Sequence, residues 1–210
     1  MKDKNKPCIG YKISKVVLGT IFKVMYRPTI INKEYIPKEG PIIVCGNHKH
    51  VFDQNLAILA TKRTLHYMAK KEYFDGKYAW FFRWVGCIPV NREIHDENAK
   101  QSAIKILENN GGIGIFPEGT RNKTEAFLLP FKFGAVSMAQ KTNATIVPFG
   151  LTGEYKKGKD NNLMIRFGKP FKVENMSLEE ANAKLEKMIG NLMKQNLKET
   201  KKNISNKEYK

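Results

Sequence analysis

Short apolar segments alternate with helical patterns along most of this 210-residue chain. Six segments rich in apolar and β-branched residues predict strands at residues 41–45, 65–69, 87–90, 112–116, 145–151 and 162–168. Three segments with helical spacing lie between them and predict helices at residues 53–63, 97–110 and 134–142. Nearly continuous apolar strands separated by helices are typical of a parallel sheet that is covered on both faces. The pattern therefore predicts an α/β fold, with a largely parallel mixed sheet flanked by helices.

The two ends of the chain differ from this alternation. Residues 1–30 contain the apolar stretch YKISKVVLGTIFKVMYRP, which lysines interrupt. A spanning helix needs about 20 mostly apolar residues, so the stretch predicts an amphipathic helical appendage that lies in a membrane interface, packs on the domain, or does both. Ser177 and Glu180 form a capping box that begins a last helix. Residues 31–200 are predicted to form one domain, and residues 201–210 a basic, disordered tail.

Charge and cysteine content restrict the partners and the compartment. The net charge of +17 at pH 7 predicts a polyanionic partner, which could be nucleic acid, anionic lipid headgroups or a phosphorylated substrate. The three cysteines include no CxxC pair, which argues against a disulfide framework and indicates a reducing compartment.

Polar clusters follow three of the predicted strands. NHKH follows strand 41–45, NR follows strand 87–90, and PEGTR follows strand 112–116. Ligand sites in open α/β sheets form beyond the carboxyl ends of the strands. The three clusters are therefore expected to lie close together at one edge of the sheet.

The first cluster offers a proton-transfer pair, a metal site or an ordinary loop. If Asp53 orients the His48 imidazole, the other ring nitrogen can act as a general base. The sequence has no GxSxG motif, so such a base would act on a hydroxyl supplied by a substrate. Alternatively, His48, His50 and Asp53 could bind a metal ion, or Asp53 could simply cap the helix that begins at Gln54.

The third cluster, PEGTR, offers a phosphate site. Gly119 lies in a turn that also carries Glu118 and Arg121, and an arginine on an exposed turn can bind phosphate through its forked guanidinium. Arg92 and Lys132 would add positive charge from neighbouring segments. A surface ion pair between Glu118 and Arg121 is the alternative interpretation.

Four ordered motifs resemble those of the glycerolipid acyltransferases. NHKHVFD resembles the N-H-x4-D motif of that family, GCIPVNR its second motif, FPEGTR its third and IVPFG its fourth. The resemblance covers roughly residues 35–155. Within the family, the bacterial 1-acyl-sn-glycerol-3-phosphate acyltransferases are the most similar.

The resemblance implies a role for each matching residue. His48 would be the general base and Asp53 its orienting partner, and Pro148 would shape the acceptor pocket. His50 departs from the family pattern, because many relatives carry a small residue such as serine there. The residues expected to bind the substrate are Arg92, Glu118, Gly119, Thr120, Arg121 and Lys132.

The resemblance also implies the substrates and the location. An acyl group would pass from acyl-CoA or acyl carrier protein to a lysophospholipid, with lysophosphatidic acid favoured, by direct attack and without an acyl-enzyme, a cofactor or a metal ion. The basic charge and the N-terminal helix would hold the enzyme on an anionic membrane surface at the cytoplasmic face of the cell membrane. Nucleic acid is not expected as a partner, since no recognised nucleic-acid motif is present. A metal-dependent hydrolase and a basic nucleic-acid-binding protein are the alternative functions.

Overall fold

Seven strands form one sheet. The computed structural model describes residues 9–91, 94, 96–156 and 162–208, and it describes side chains in the last segment through Lys202. The strands are β1 (Thr29–Ile31), β2 (Ile42–Gly46), β3 (His66–Lys70), β4 (Ile88–Val90), β5 (Gly112–Ile115), β6 (Thr145–Thr152) and β7 (Met164–Phe167). Their order across the sheet is β1-β7-β6-β2-β5-β3-β4. Strands β6 and β7 are antiparallel, and every other neighbouring pair is parallel. The predicted largely parallel mixed sheet is confirmed.

Helices cover both faces of this sheet. They are α1 (Ile9–Tyr26), α2 (Asp53–Ala60), α3 (Ala79–Trp84), α4 (Glu97–Glu108), α5 (Gly134–Thr142) and α6 (Leu178–Glu208). Buried residues of α1 and α2 join the core on one face, and those of α4, α5 and α6 join the core on the other face. Two short 3-10 helices, Lys33–Tyr35 and Lys71–Phe74, lie in connecting segments.

The apolar run of β2 shows why its residues form a central strand. Side chains alternate between the two faces of a strand, so a strand covered on both faces must be apolar throughout. Ile42 and Val44 lie in the core under α1 and α2, whereas Ile43 and Cys45 lie in the core under α4 and α5. All four side chains are fully buried. This strand therefore leads into the polar cluster from the centre of the molecule.

Two elements escaped the sequence pattern. Strand β1 has only three residues, which are too few for a recognisable alternation. It is held by parallel pairing with β7, in which Thr29 lies opposite Met164. Helix α3 has the sequence AWFFRW, in which apolar residues are nearly continuous and show no helical period. Strand β1 therefore depends on a strand that is distant in sequence, and α3 packs on the nearby 3-10 helix Lys71–Phe74 and on the distant α1.

The expectation of a disordered tail from Lys201 is wrong for the backbone through Glu208, which continues α6. The capping box at the other end of this helix is confirmed, with Ser177 and Glu180 bonded reciprocally at 2.8 and 3.1 Å. Adding a residue to an existing helix costs far less than nucleating one. The helix therefore extends beyond its last buried apolar residues, although the sequence there lacks apolar periodicity.

Helix α1 has two different faces. Tyr11, Phe22 and Tyr26 are buried against the domain, while Val16 and Val24 are 67% and 66% exposed. One side of this helix therefore packs on the domain, and the other side exposes apolar side chains. Among the described residues, no helix is long and apolar enough to cross a membrane.

Candidate active site

The first and third polar clusters meet because β2 and β5 are neighbours in the sheet. Their parallel register pairs Cys45 with Ile115, so the segments that leave the two strands emerge side by side. His48 follows β2 by two residues, and Phe116 directly follows β5. Sheet order thus brings residues about 70 positions apart into contact.

A partly buried His48 and a buried Asp53 form a hydrogen-bonded pair. The Nδ1 atom of His48 lies 2.8 Å from Oδ2 of Asp53, and the Asp53 side chain is 1% exposed. The same oxygen accepts hydrogen bonds from the backbone N–H groups of Lys49 at 2.6 Å and His50 at 2.7 Å. Because an ionised carboxylate only accepts, Nδ1 carries the donated proton and Nε2 is left as an acceptor.

One interpretation of the sequence, that Asp53 caps the helix, is wrong. It is the first residue of α2, and its carboxylate turns back to the preceding loop instead of to the helix N-terminus. Phe52 occupies the cap position and makes no side-chain cap hydrogen bond. Asp53 therefore serves the histidine and its loop rather than the helix.

The His48 ring is also held by an aromatic contact. Phe116 stacks on it with ring centroids 4.0 Å apart and an interplanar angle of 8°. With one ring face covered and Nδ1 bonded, the imidazole has little freedom to rotate. Its Nε2 is thereby held in a defined direction, as a general base requires.

The backbone of His48 is fastened to the FPEGTRN segment on both sides. Its N–H donates to Oε1 of Glu118 at 2.7 Å, and its carbonyl accepts from the Asn122 N–H at 2.7 Å. The other Glu118 oxygen accepts from the Leu129 N–H at 2.9 Å, and the residue is 4% exposed. Burial raises the pKa of Glu118, while the hydrogen bonds from Leu129 and His48 act in the opposite direction. Glu118 is thus an internal brace between two loops, not half of a surface ion pair.

A mostly apolar cavity of about 390 Å³ opens beside His48. This volume falls within the range of about 300–1,000 Å³ that is usual for ligand pockets. Its polar wall includes His48, Asn91, Asp96, Lys100 and Lys132. Its apolar wall comes from strands β3 to β5 and helices α4 and α5, and includes Met68, Val90, Ala99, Ile115, Ala135 and Met138.

The other predicted substrate residues are divided between this cavity and the surface. Gly119 and Lys132 line the cavity, and Gly119 has a left-handed φ of 71° in a turn closed by its N–H to the Phe116 carbonyl. A Cβ at position 119 would lie 2.9 Å from Cε of Lys132, so glycine lets that side chain cross the turn. Thr120 and Arg121 are exposed on the same turn and do not line the cavity. Arg92 lies outside the described residues.

The sequence assigned no role to three residues that support the site. Phe116 stacks on His48, and Asn47 extends the pairing of β2 with β6, since its side chain donates to the Leu151 carbonyl at 3.1 Å and accepts from its N–H at 2.7 Å. The Tyr155 hydroxyl donates to Oδ1 of Asp53 at 2.5 Å. An asparagine that directly follows an apolar strand is a signal that could have indicated Asn47. No local signal pointed to Tyr155, which is 102 residues away from Asp53.

His50 is engaged with an aromatic neighbour. Its ring stacks on Tyr155 with centroids 4.3 Å apart, and its Nδ1 accepts from the Phe52 N–H at 3.3 Å. In the described part of the chain, no three His, Cys, Asp or Glu side chains are grouped as metal ligands would be. The pairing of His48 with Asp53 is therefore the one that organises this loop.

Comparison with known proteins agrees with this geometry. Residues 27–152, more than half of the chain, match the Acyltransferase family. The chain belongs to this acyltransferase family. The resemblance predicted from the four motifs is confirmed.

Similar proteins carry one recurring name. The 1-acyl-sn-glycerol-3-phosphate acyltransferase of Bacillus subtilis is 32% identical over 157 residues, which cover 71% of this chain and 77% of that protein. The protein of the same name from Borreliella burgdorferi is 34% identical over 125 residues, covering 58% of this chain and 50% of that protein. The crystal structure of the 1-acyl-sn-glycerophosphate (LPA) acyltransferase PlsC from Thermotoga maritima has the same fold, with a TM-score of 0.67 at 21% identity, covering 88% of this chain and 81% of that one.

Proposed function

We propose that this acyltransferase moves a fatty acyl group from acyl-CoA or acyl carrier protein to the free hydroxyl of 1-acyl-sn-glycerol 3-phosphate. The product is phosphatidic acid, and the reaction belongs to phospholipid biosynthesis. The observation that carries this proposal is the Asp53–His48 hydrogen-bonded pair, in which His48 lines a largely apolar cavity. The names of the similar proteins support the choice of acceptor.

The chemistry needs one base and no protein nucleophile. Nε2 of His48 takes the proton of the acceptor hydroxyl while that oxygen attacks the thioester carbonyl carbon. The C–S bond then breaks, and the departing sulfur receives the proton from the imidazolium. Asp53 stabilises the imidazolium during this step, and a base of this kind contributes typically about 10²–10⁴-fold in rate.

The cavity suits an acyl chain with an anionic end group. Its apolar walls would take the hydrocarbon, and Lys132 would lie near the phosphate or the donor at the polar end. Thr120 and Arg121 are on the exposed side of the neighbouring turn, where an acceptor headgroup at the protein surface could meet them, and Arg92 completes the proposed cationic set. The reaction as proposed requires no cofactor.

The membrane is the proposed source of the acceptor. The exposed face of α1 carries apolar residues between lysines, and the segment of α3 adds the aromatic residues Tyr78 and Trp80, which is 63% exposed. Aromatic residues favour the interface between water and lipid, and lysines are attracted to anionic headgroups. These features support peripheral association with the cytoplasmic face of the cell membrane.

The test compares two matched histidine variants of the full-length protein. We expect His48→Gln to lower kcat by at least about 100-fold, because the base is lost, while the unfolding temperature changes little. His66→Gln is the control, since His66 bonds the Gly86 carbonyl and is not among the residues that line the cavity. Thiol release from acyl-CoA is measured with lysophosphatidic acid and with a panel of other lysophospholipids. Near-normal turnover by His48→Gln would contradict the proposed base, and a preference for another lysolipid would contradict the proposed acceptor.

A further inference from the structure

Both oxygens of the Asp53 carboxylate have partners, but only one of them faces the histidine. Oδ2 receives His48 and two backbone N–H groups, whereas Oδ1 receives the Tyr155 hydroxyl at 2.5 Å. Tyr155 comes from the segment that follows β6, so it reaches Asp53 from a different part of the fold than the loop that carries His48. A carboxylate held at both oxygens cannot turn about its terminal bond, and its direction relative to the imidazole is thereby restricted.

The phenol is suited to be the donor in this contact. Burial and, next, the charge of Asp53 raise the pKa of Tyr155 well above its usual value. The hydroxyl therefore keeps its proton throughout the working pH range and donates it to the carboxylate. Asp53 in turn keeps an acceptor role toward His48.

The Tyr155 ring is enclosed by other rings. His50 stacks on it with centroids 4.3 Å apart, and Tyr26 meets it edge to face at 5.6 Å. Phe22 and Phe52 complete this aromatic cluster at 6.0 and 6.1 Å. Two members of the cluster belong to α1, so the helix that carries the exposed apolar face also packs against Tyr155, the hydrogen-bond partner of Asp53.

We propose that Tyr155 is a positioning residue for the His48–Asp53 pair, and that the unusual His50 serves to hold Tyr155 by stacking. This inference rests on the proposed function in so far as its effect is read as acyl transfer. Tyr155 touches neither substrate nor reacting atoms. It acts by fixing the direction of the carboxylate that orients the base.

The experiment removes one oxygen atom at each of two tyrosines in the same cluster. Tyr155→Phe keeps the ring and loses the hydroxyl that bonds Asp53, and we expect kcat to fall about 10- to 100-fold with an acceptor KM within about threefold of the original. Tyr26→Phe is the matched control, because no hydrogen bond of the Tyr26 hydroxyl occurs among the described residues. It is expected to retain kcat within about twofold.

A double variant separates positioning from general destabilisation. If Tyr155 acts through Asp53, Tyr155→Phe should lower kcat little further in an Asp53→Asn background. Losses that multiply in the double variant, or a normal kcat for Tyr155→Phe, would overturn the inference. His50→Phe, which can preserve the stack, should be more active than His50→Ala, and equal activity of the two would overturn the role given to His50.

A readout independent of turnover distinguishes this inference from the proposed function. In protein labelled with ¹⁵N at the histidine rings, Tyr155→Phe should change the His48 Nδ1 signal, and Tyr26→Phe should not. If the wild-type protein transfers no acyl group to lysophosphatidic acid, the proposed function fails, but this spectral comparison still tests Tyr155. An unchanged His48 signal in Tyr155→Phe overturns the positioning role.

Discussion

Glu118 and Arg121 stand three positions apart on one turn, yet their environments give them different tasks. Glu118 is buried and bonds the backbone N–H groups of His48 and Leu129 with its two oxygens. Arg121 is exposed, and none of the described residues forms an ion pair or hydrogen bond with its side chain. Burial with complete hydrogen bonding favours a structural task, whereas an exposed, uncommitted guanidinium is available to a ligand.

The environments of Glu118 and Arg121 predict different kinetic effects for their substitution. Glu118→Gln replaces one acceptor oxygen by an N–H donor, which leaves a buried backbone donor unpaired at a cost of about 1–3 kcal/mol. We expect this variant to lower kcat and the unfolding temperature with little change in the acceptor KM. Arg121→Ala should chiefly raise the acceptor KM and leave stability unchanged. Steady-state kinetics with thermal unfolding measure both, and a pure KM effect in Glu118→Gln would indicate direct contact with the acceptor.

The cysteine thiols provide a second prediction at this scale. Burial raises the pKa of Cys87 to about 11 and that of Cys45 further above its usual value. A raised pKa means that the reactive thiolate is scarce at pH 7.5 and becomes common only at much more alkaline pH. Iodoacetamide should therefore leave the buried Cys45 unmodified in the native protein and modify the partly buried Cys87 only slowly, whereas both are labelled in urea, as read by peptide mass spectrometry. Rapid labelling of either residue in the native protein would contradict this prediction.

At the scale of elements, α5 forms one wall of the cavity and also packs in the core. Ala135 and Ala139 are both buried residues of this helix, but only Ala135 lines the cavity. One helical turn thus separates a position that would contact a ligand from one that contacts only protein. Such a pair allows a size change in the cavity to be compared with the same change in the core.

Enlarging Ala135 should change the choice of acyl chain. Ala135→Leu fills part of the cavity, so we expect the ratio of kcat/KM for short-chain over long-chain acyl donors to rise about tenfold. Ala139→Leu brings a similar overpacking cost, about 1–3 kcal/mol, without entering the cavity. It should lower the unfolding temperature and leave the chain-length ratio unchanged. The same shift in both variants would show that the ratio responds to stability and not to cavity length.

The whole molecule combines a large positive net charge with an exposed apolar face on one helix. The chain carries a net charge of +17, and α1 exposes apolar side chains on the face opposite to its buried Phe22 and Tyr26. Removing the helix would also remove part of the core, so a deletion would confuse membrane binding with folding. Substitutions confined to the exposed face avoid this difficulty.

Two such substitutions test membrane docking. Val16→Glu with Val24→Glu should weaken sedimentation with anionic liposomes at least about tenfold, because both apolar burial and charge attraction decrease. The control places two glutamates on exposed positions of the opposite helical layer, Ser102→Glu with Gln140→Glu, and makes the same change in net charge. Unfolding temperatures should match across the variants. Equal liposome binding by the two pairs would exclude a specific role for the α1 face.

Much of the fold was available from local patterns. Six of the seven strands and five of the six helices follow from apolar runs, helical spacing, amphipathicity and a capping box, because such patterns depend on neighbours within a few residues. Three-residue β1 and the aromatic α3 carry no such pattern. Their positions depend on partners elsewhere in the chain, as the pairing of Thr29 with Met164 illustrates.

The sequence by itself determined where the polar clusters stand, since each follows an apolar strand, and its motifs were sufficient to indicate the family. Only the tertiary structure decided what each polar side chain contacts. The order of β6, β2 and β5 brings the Tyr155 hydroxyl to the Asp53 carboxylate, 102 residues away in sequence. The same order brings the Glu118 carboxylate to the backbone N–H of His48, 70 residues away. The physical reason is that strand and helix formation are local, whereas the burial and hydrogen bonding that assign a role depend on which strands become neighbours.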